Sequence, residues 1–329
     1  MKVLNNSTAA LGMSLIALTC STSGWAQSAA PTTLQLAAQA LATTATTATT
    51  PTNGKVPPTF NWMSADVSQA WNQGFYGQGT TMTFVDDFVS NHRSSGNMGL
   101  GAFTMRHGEW TAYEAALVAP LANVKAHDYY SGKAIALVPN RLNILNASYG
   151  YYHSKAYATQ NVYWGPQELS MIAYAKTGKA VVSKAAGNDG VTVSAPNSYS
   201  SVDGLNVLLK GAPSAILVGA LWRNGATNKK AELAWYSNKP GNDPVYQNMF
   251  LTVGVESDKT ALAGTSFAAP IVSGYAAILG SKFKTATPTA IVSQLLTTAR
   301  KDTIRMYDPS LHGRGEASLS RALAPAAIQ

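Results

Sequence analysis

One thiol, Cys20, is all that the 329 residues contain, so neither a disulfide framework nor a cysteine pair for a metal can form within the chain. Charge is also scarce. Only 12% of residues are charged, and the net value of +8 comes from Lys and Arg spread along the sequence. Nucleic-acid binding calls for such charges gathered on one stretch, and none is present, so the excess reads as a solvated basic surface. Past the N-terminus no run approaches 18 uncharged apolar residues, which excludes a spanning helix. His-Glu-x-x-His is missing as well, and with it a common signature of a catalytic zinc.

What is present begins with an export signature. Met1-Lys2 gives a weakly basic start, Ala9 to Thr19 an apolar stretch of signal-peptide length, and Gly24-Trp25-Ala26 a small-x-small cleavage site. Residues 1–26 read as a secretory signal cut after Ala26, with a secreted or periplasmic destination. Cys20 lies inside it, and Ala17-Leu18-Thr19 before it makes a poor lipobox. Residues 27–57 are rich in Ala and Thr and end in Pro/Gly punctuation; they bury too little to fold alone and read as a disordered leader or linker. Residues 58–329 keep a globular composition throughout and read as one domain.

Within that domain strand-like runs alternate with helical patterns. Thr80–Val85, Leu142–Ala147, Ala180–Ala185, Ala215–Leu221 and Phe250–Val255 read as strands. His107–Ala119, Pro166–Thr177, Phe267–Lys282 and Pro288–Ala299 read as helices. The alternation predicts an α/β fold: a three-layer sandwich whose mostly parallel central sheet is covered by helices on both faces. In such sheets function gathers at the carboxyl ends of the strands.

Polar signals fall at those ends. Asp86 and Asp87 close the run Met82-Thr83-Phe84-Val85, and His107-Gly108 opens a helix. Gly187-Asn188 follows Val181–Ala186, and Ser266 stands where an uncharged helix begins. Each has an ordinary structural reading alone: a helix cap, a turn, a surface histidine. A serine nucleophile, however, needs a base, the base an orienting carboxylate, and the developing oxyanion a donor. The order Asp, His, Ser along the chain is one in which such triads occur.

With these residues in place, the chain resembles the subtilisin-like serine peptidases (subtilases) over most of residues 60–325. The family's Gly-Thr-Ser-x-Ala-x-Pro motif is matched at Gly264-Thr265-Ser266-Phe267-Ala268-Ala269-Pro270. His107-Gly108, Ala185-Ala186-Gly187-Asn188-Asp189-Gly190 and Thr81–Asp86 are similar to its histidine, oxyanion and aspartate motifs. The resemblance implies a subtilisin-like fold and Asp86, His107, Ser266 and Asn188 as catalytic residues. Ser148, Tyr149, Gly150, Ala186 and Gly187 become substrate-binding residues, taking an extended protein or peptide as an added strand. It implies no cofactor for the chemistry and no catalytic metal; calcium often stiffens the family, but ligands for it are not identifiable in the sequence. A monomer without a nucleic-acid partner is expected.

Departures from the pattern matter too. Asp87-Phe88 stands where the family has Ser/Thr-Gly, and a second carboxylate beside Asp86 bears on the protonation of His107. Asp87 is expected to cap a turn or face solvent. Tyr113 replaces a glycine of the histidine motif, so helix packing there must differ. The alternative left by these changes is a catalytically silent relative that serves as a binding module. An α/β-hydrolase is disfavoured, because no Gly-x-Ser-x-Gly surrounds Ser266. His92, His127, His153 and His312 read as surface or structural residues.

Overall fold

The computed structural model describes residues 59–329; the signal (1–26) and leader (27–57) lie outside the described residues. Ten strands follow in order: β1 (Thr80–Asp86), β2 (Ser94–Asn97), β3 (Ala102–Met105), β4 (Asn123–Asp128), β5 (Leu142–Ala147), β6 (Tyr152–Ser154), β7 (Val181–Ala185), β8 (Ser201–Asp203), β9 (Ala215–Leu221) and β10 (Phe250–Gly254). Six of them form one parallel sheet in the order β10-β9-β7-β5-β1-β4. β2 pairs with β3 and β6 with β8 as small antiparallel ribbons.

The sheet is buried on both faces, and the period of two along each strand divides the core. Phe84, Ile144, Val181 and Ile216 face the helices His107–Val118, Ala268–Lys282 and Pro288–Thr297. Their chain neighbours Val85, Leu145, Val182 and Leu217 face the opposite layer, where Met171, Ile172 and Leu205 lie on Pro166–Thr177 and Gly204–Leu208. This is the three-layer α/β sandwich that the alternating pattern predicts. No helix among the described residues is long and apolar enough to cross a membrane.

The sequence pattern misses β4 and both ribbons. β4 (Asn-Val-Lys-Ala-His-Asp) is the sheet's edge, exposed or half-buried along its length, so it needs no apolar run. It lies on the far side of β1 from β5, so strand order reverses at β1, the place where such sheets form their crevice. The helix predicted from Phe267 starts with a 3₁₀ turn, Thr265–Phe267, and becomes α-helical at Ala268. Apart from Gly280 and Lys282 it is buried throughout, as its uncharged sequence requires.

This helix crosses the His107 helix at Gly274, where a Cβ would come within 2.6 Å of Val118 Cγ1 and 2.8 Å of its Cβ. Tyr113, in place of a family glycine, is itself buried in the same core; the close approach is made by the partner helix. Alanine at 274 gains roughly 1 kcal/mol in helix propensity, but overpacking a stiff β-branched neighbour costs roughly 1–3 kcal/mol. Gly274→Ala is therefore expected to lower the melting temperature by calorimetry; an increase would mean that the helices separate without strain.

Candidate active site

Asp86 ends β1 with its carboxylate buried at 1% exposure. Its Oδ1 accepts from His107 Nδ1 at 2.7 Å and from the Asp87 N–H at 2.7 Å, while Oδ2 accepts from Thr111 Oγ1 at 3.3 Å. His107 is the first residue of its helix, held there because Glu109 Oε2 accepts from Arg106 N–H at 2.8 Å and binds the Arg106 guanidinium through Oε1. Gly108 lets that helix end approach β1: its N–H donates to Asp87 O at 3.0 Å, and a Cβ would lie 2.7 Å from that oxygen and 2.9 Å from the Phe88 ring. The family departure at Asp87-Phe88 is thus accommodated by the glycine facing it.

Asp87 is buried and caps the following turn, accepting from the N–H groups of Val89 (3.2 Å) and Ser90 (2.9 Å) and from the Ser90 hydroxyl. Burial pushes the His107 imidazole down, but the charge and hydrogen bond of Asp86, with the charge of Asp87, outweigh it, so its pKa lies above the ordinary 6.5. A raised folded-state value means that the ion pair stabilises the fold fully below the unfolded pKa and is lost as pH rises through the folded one. A neutral, proton-accepting His107 appears over that same rise.

Ser266 sits in the 3₁₀ turn ahead of the buried helix, near its positive dipole end. Gly264 before it has φ +127°, a conformation closed to other residues, and a Cβ there would approach Asn188 Nδ2 to 3.2 Å. Two chain segments clasp this turn. Ser148 Oγ donates to Ser266 O at 2.9 Å, and Ser266 Oγ donates to Ser148 O at 3.1 Å. On the other side Asn188 Oδ1 accepts from Thr265 N–H at 2.8 Å and from Thr265 Oγ1 at 3.0 Å, and Thr265 Oγ1 accepts from Gly187 N–H at 3.0 Å. With its oxygen so engaged, Asn188 keeps its amide Nδ2 as donor beside the turn. The His107 ring meets Phe267, next to Ser266, edge-on at a centroid distance of 5.8 Å.

All the sequence-predicted residues therefore gather at this end of the sheet. Tyr149 turns its phenol away, to Glu168 Oε1 (3.2 Å) and Gln167 Nε2 (3.1 Å), and no backbone hydrogen bond among the described residues engages Tyr149 or Gly150. Ala186 is buried, its carbonyl taken by Asn206 Nδ2 (2.9 Å) and Asn238 Nδ2 (3.1 Å). Asn238 Oδ1 also accepts from the N–H groups of Asp189 (3.0 Å) and Val191 (3.2 Å), fixing the loop after Asn188. Thr111, Asn206 and Asn238 carry no signal in the sequence; Thr265 lies inside the serine motif. Of the other histidines, His312 is buried against Asp308 backbone, and His127 and His153 bond Ser131 and Thr159. Among the described residues no group of three or more His, Cys, Asp or Glu side chains converges as a metal site.

The buried Asp86 carboxylate thus holds an imidazole whose ring meets Phe267, the residue after Ser266, at the start of the buried helix. Residues 107–318 match the model of the subtilase family (Peptidase_S8), and the chain belongs to that family. Asp86 precedes the matched residues, and its place rests on the contact with His107. No curated protein matches the chain. Among solved structures it is similar to the prenylagaramide maturation protease PagA, with TM-score 0.52, 20% identity and coverage of 79% of this chain and 98% of that one. MycP3 protease from the type VII (ESX-3) secretion system gives TM-score 0.51 and 18% identity over 83% and 90%. MycP1 from the ESX-1 type VII system gives 0.50 and 17% over 83% and 88%. At these identities the likeness establishes the shared subtilisin-like fold.

Because the Asp87 charge helps hold His107 in its protonated form, Asp87→Asn is expected to move the acid limb of the kcat/KM profile to lower pH. An unmoved limb in a folded variant would remove Asp87 from the electrostatics of the site.

Proposed function

We propose that this chain is an exported serine endopeptidase that works as a monomer through Asp86, His107 and Ser266, with Asn188 serving the oxyanion. The observation that carries the reading is the 2.7 Å bond from His107 Nδ1 to the buried Asp86, which leaves Nε2 as the nitrogen for the serine proton. An extended peptide adds along Ser148–Gly150, and the Ser266 hydroxyl leaves the Ser148 carbonyl for His107. Oγ attacks the peptide carbonyl while Nε2 takes its proton; Asp86 stabilises the imidazolium. The oxyanion is met by Asn188 Nδ2 and the Ser266 N–H. The C–N bond breaks as Nε2 returns the proton to the amine, and water then hydrolyses the acyl-enzyme by the same relay. Each step uses the chain's own side chains and no cofactor.

The silent-module reading has one observation in its favour, the hydrogen bond of Ser266 Oγ to Ser148 O at 3.1 Å in place of one to His107. Casein hydrolysis separates the two. Wild-type protein is expected to cleave casein and Ser266→Ala to lose cleavage; equal activity of the two would reject the nucleophile. Asn188→Ala is expected to lower kcat by on the order of 10²–10³, the loss known for a subtilisin deprived of this donor, with KM little changed. Export follows from residues 1–26, and N-terminal sequencing of the secreted chain is expected to begin at Gln27; a retained Met1 would contradict processing.

A further inference from the structure

Two segments run outward from the sheet beside Ser266: Ser148–Gly150 after β5, tied by the reciprocal Ser148–Ser266 bonds, and Ala186–Asn188 after β7, tied through Thr265. A peptide lying along the first, with its carbonyl at Ser266 and Asn188, sends the side chain of the attacked residue into the space between the two segments. Side chains leave an extended backbone across its pairing direction, and on the protein's side that direction leads between the two segments.

The phenol of Tyr152 crosses that space. A Cβ on Gly150 would lie 2.4 Å from Tyr152 Cε2 and 3.0 Å from Cζ, and a Cβ on Gly187 would lie 3.7 Å from the phenol oxygen. The hydroxyl donates to Asp189 Oδ2 at 3.2 Å, and the backbone of Tyr152 is held opposite Asp203 in the β6–β8 ribbon. The ring is therefore anchored at both walls. Beneath it the buried ion pair of Lys184 and Asp203 is closed. Lys184 Nζ is 2.9 Å from Asp203 Oδ2, with side chains 1% and 3% exposed, and also donates to Ala185 O at 2.5 Å. Asp203 Oδ1 accepts from the N–H groups of Tyr151 (3.0 Å) and Leu205 (3.1 Å). Asp189 Oδ1 is taken by Asn197 Nδ2 at 3.1 Å. An acidic side chain entering here finds Lys184 already engaged and meets the carboxylate of Asp189, which only neutral donors bind, and an uncompensated buried charge is costly.

We propose that Tyr152 closes the pocket for the residue on the acyl side of the scissile bond, so that the enzyme cleaves after Gly, Ala or Ser and rejects large or acidic residues there. The inference rests on the peptidase reading and deepens it. The test is a peptide series varied at that single residue and given to the full chain. Wild-type kcat/KM for Ala is expected to exceed that for Phe, Leu, Lys and Glu by at least about tenfold. Tyr152→Ala, which removes the ring, is expected to raise the Phe-to-Ala ratio at least about tenfold; Tyr152→Phe, which keeps the ring, is expected to hold it within about twofold. Wild-type cleavage after Phe as fast as after Ala overturns the inference, and so does an unchanged ratio in a Tyr152→Ala variant that melts cooperatively. Should that variant fail to fold, the wild-type and Tyr152→Phe profiles decide. Absence of cleavage across the whole series overturns the peptidase reading and this inference with it, whereas cleavage after Phe as fast as after Ala overturns this inference alone.

Discussion

Thr265 joins the parts of the site that come from different strands. Its N–H and hydroxyl both donate to Asn188 Oδ1, and its hydroxyl accepts from Gly187 N–H. Because the Asn188 oxygen is used up in this way, the amide is aimed without needing burial of its own. The same turn is pinned from the β5 side by Ser148, so the proposed nucleophile, oxyanion donor and substrate edge share one rigid reference. That reference is in turn held by a helix buried nearly all round, whose approach to the His107 helix depends on Gly274. Constellations held in this way by packed elements keep the geometry that chemistry requires.

Asp86 makes a complementary demand. A carboxylate buried to this degree must be bonded at both oxygens, and His107, Asp87 N–H and Thr111 meet that need. The adjacent Asp87 does not stand idle in solvent: it organises the turn to Ser90 and adds its charge to the imidazole's surroundings. The two carboxylates thus shift His107 toward protonation while Asp86 holds its imidazole in place.

The apolar strands and the buried helices were legible because a parallel sheet covered on both faces writes itself as uncharged runs. The proposed site residues could be picked out because Asp86 and Asn188 stand where such a run stops and His107 and Ser266 where a buried helix begins. β4 was not, since an edge strand half-open to water needs no such run, and its polar Lys125, His127 and Asp128 hide it. Asn206 and Asn238 were invisible for a different reason: they act through space on the Ala186 carbonyl from remote parts of the chain. Tyr152 is one tyrosine in a tyrosine-rich stretch, and only the ring's position between Gly150 and Gly187 distinguishes it. The structure also shows the serine hydroxyl resting on Ser148 O, a contact that the motif does not contain.

The central claim is that Ser266 is a nucleophile activated by His107 and Asp86. The most direct measurement is reaction of the folded protein with a fluorophosphonate, followed by intact mass and peptide mapping. A single adduct on Ser266 is predicted, formed far more slowly in His107→Ala and Asp86→Asn. An adduct on another residue, or none in a protein that melts cooperatively, would contradict the claim.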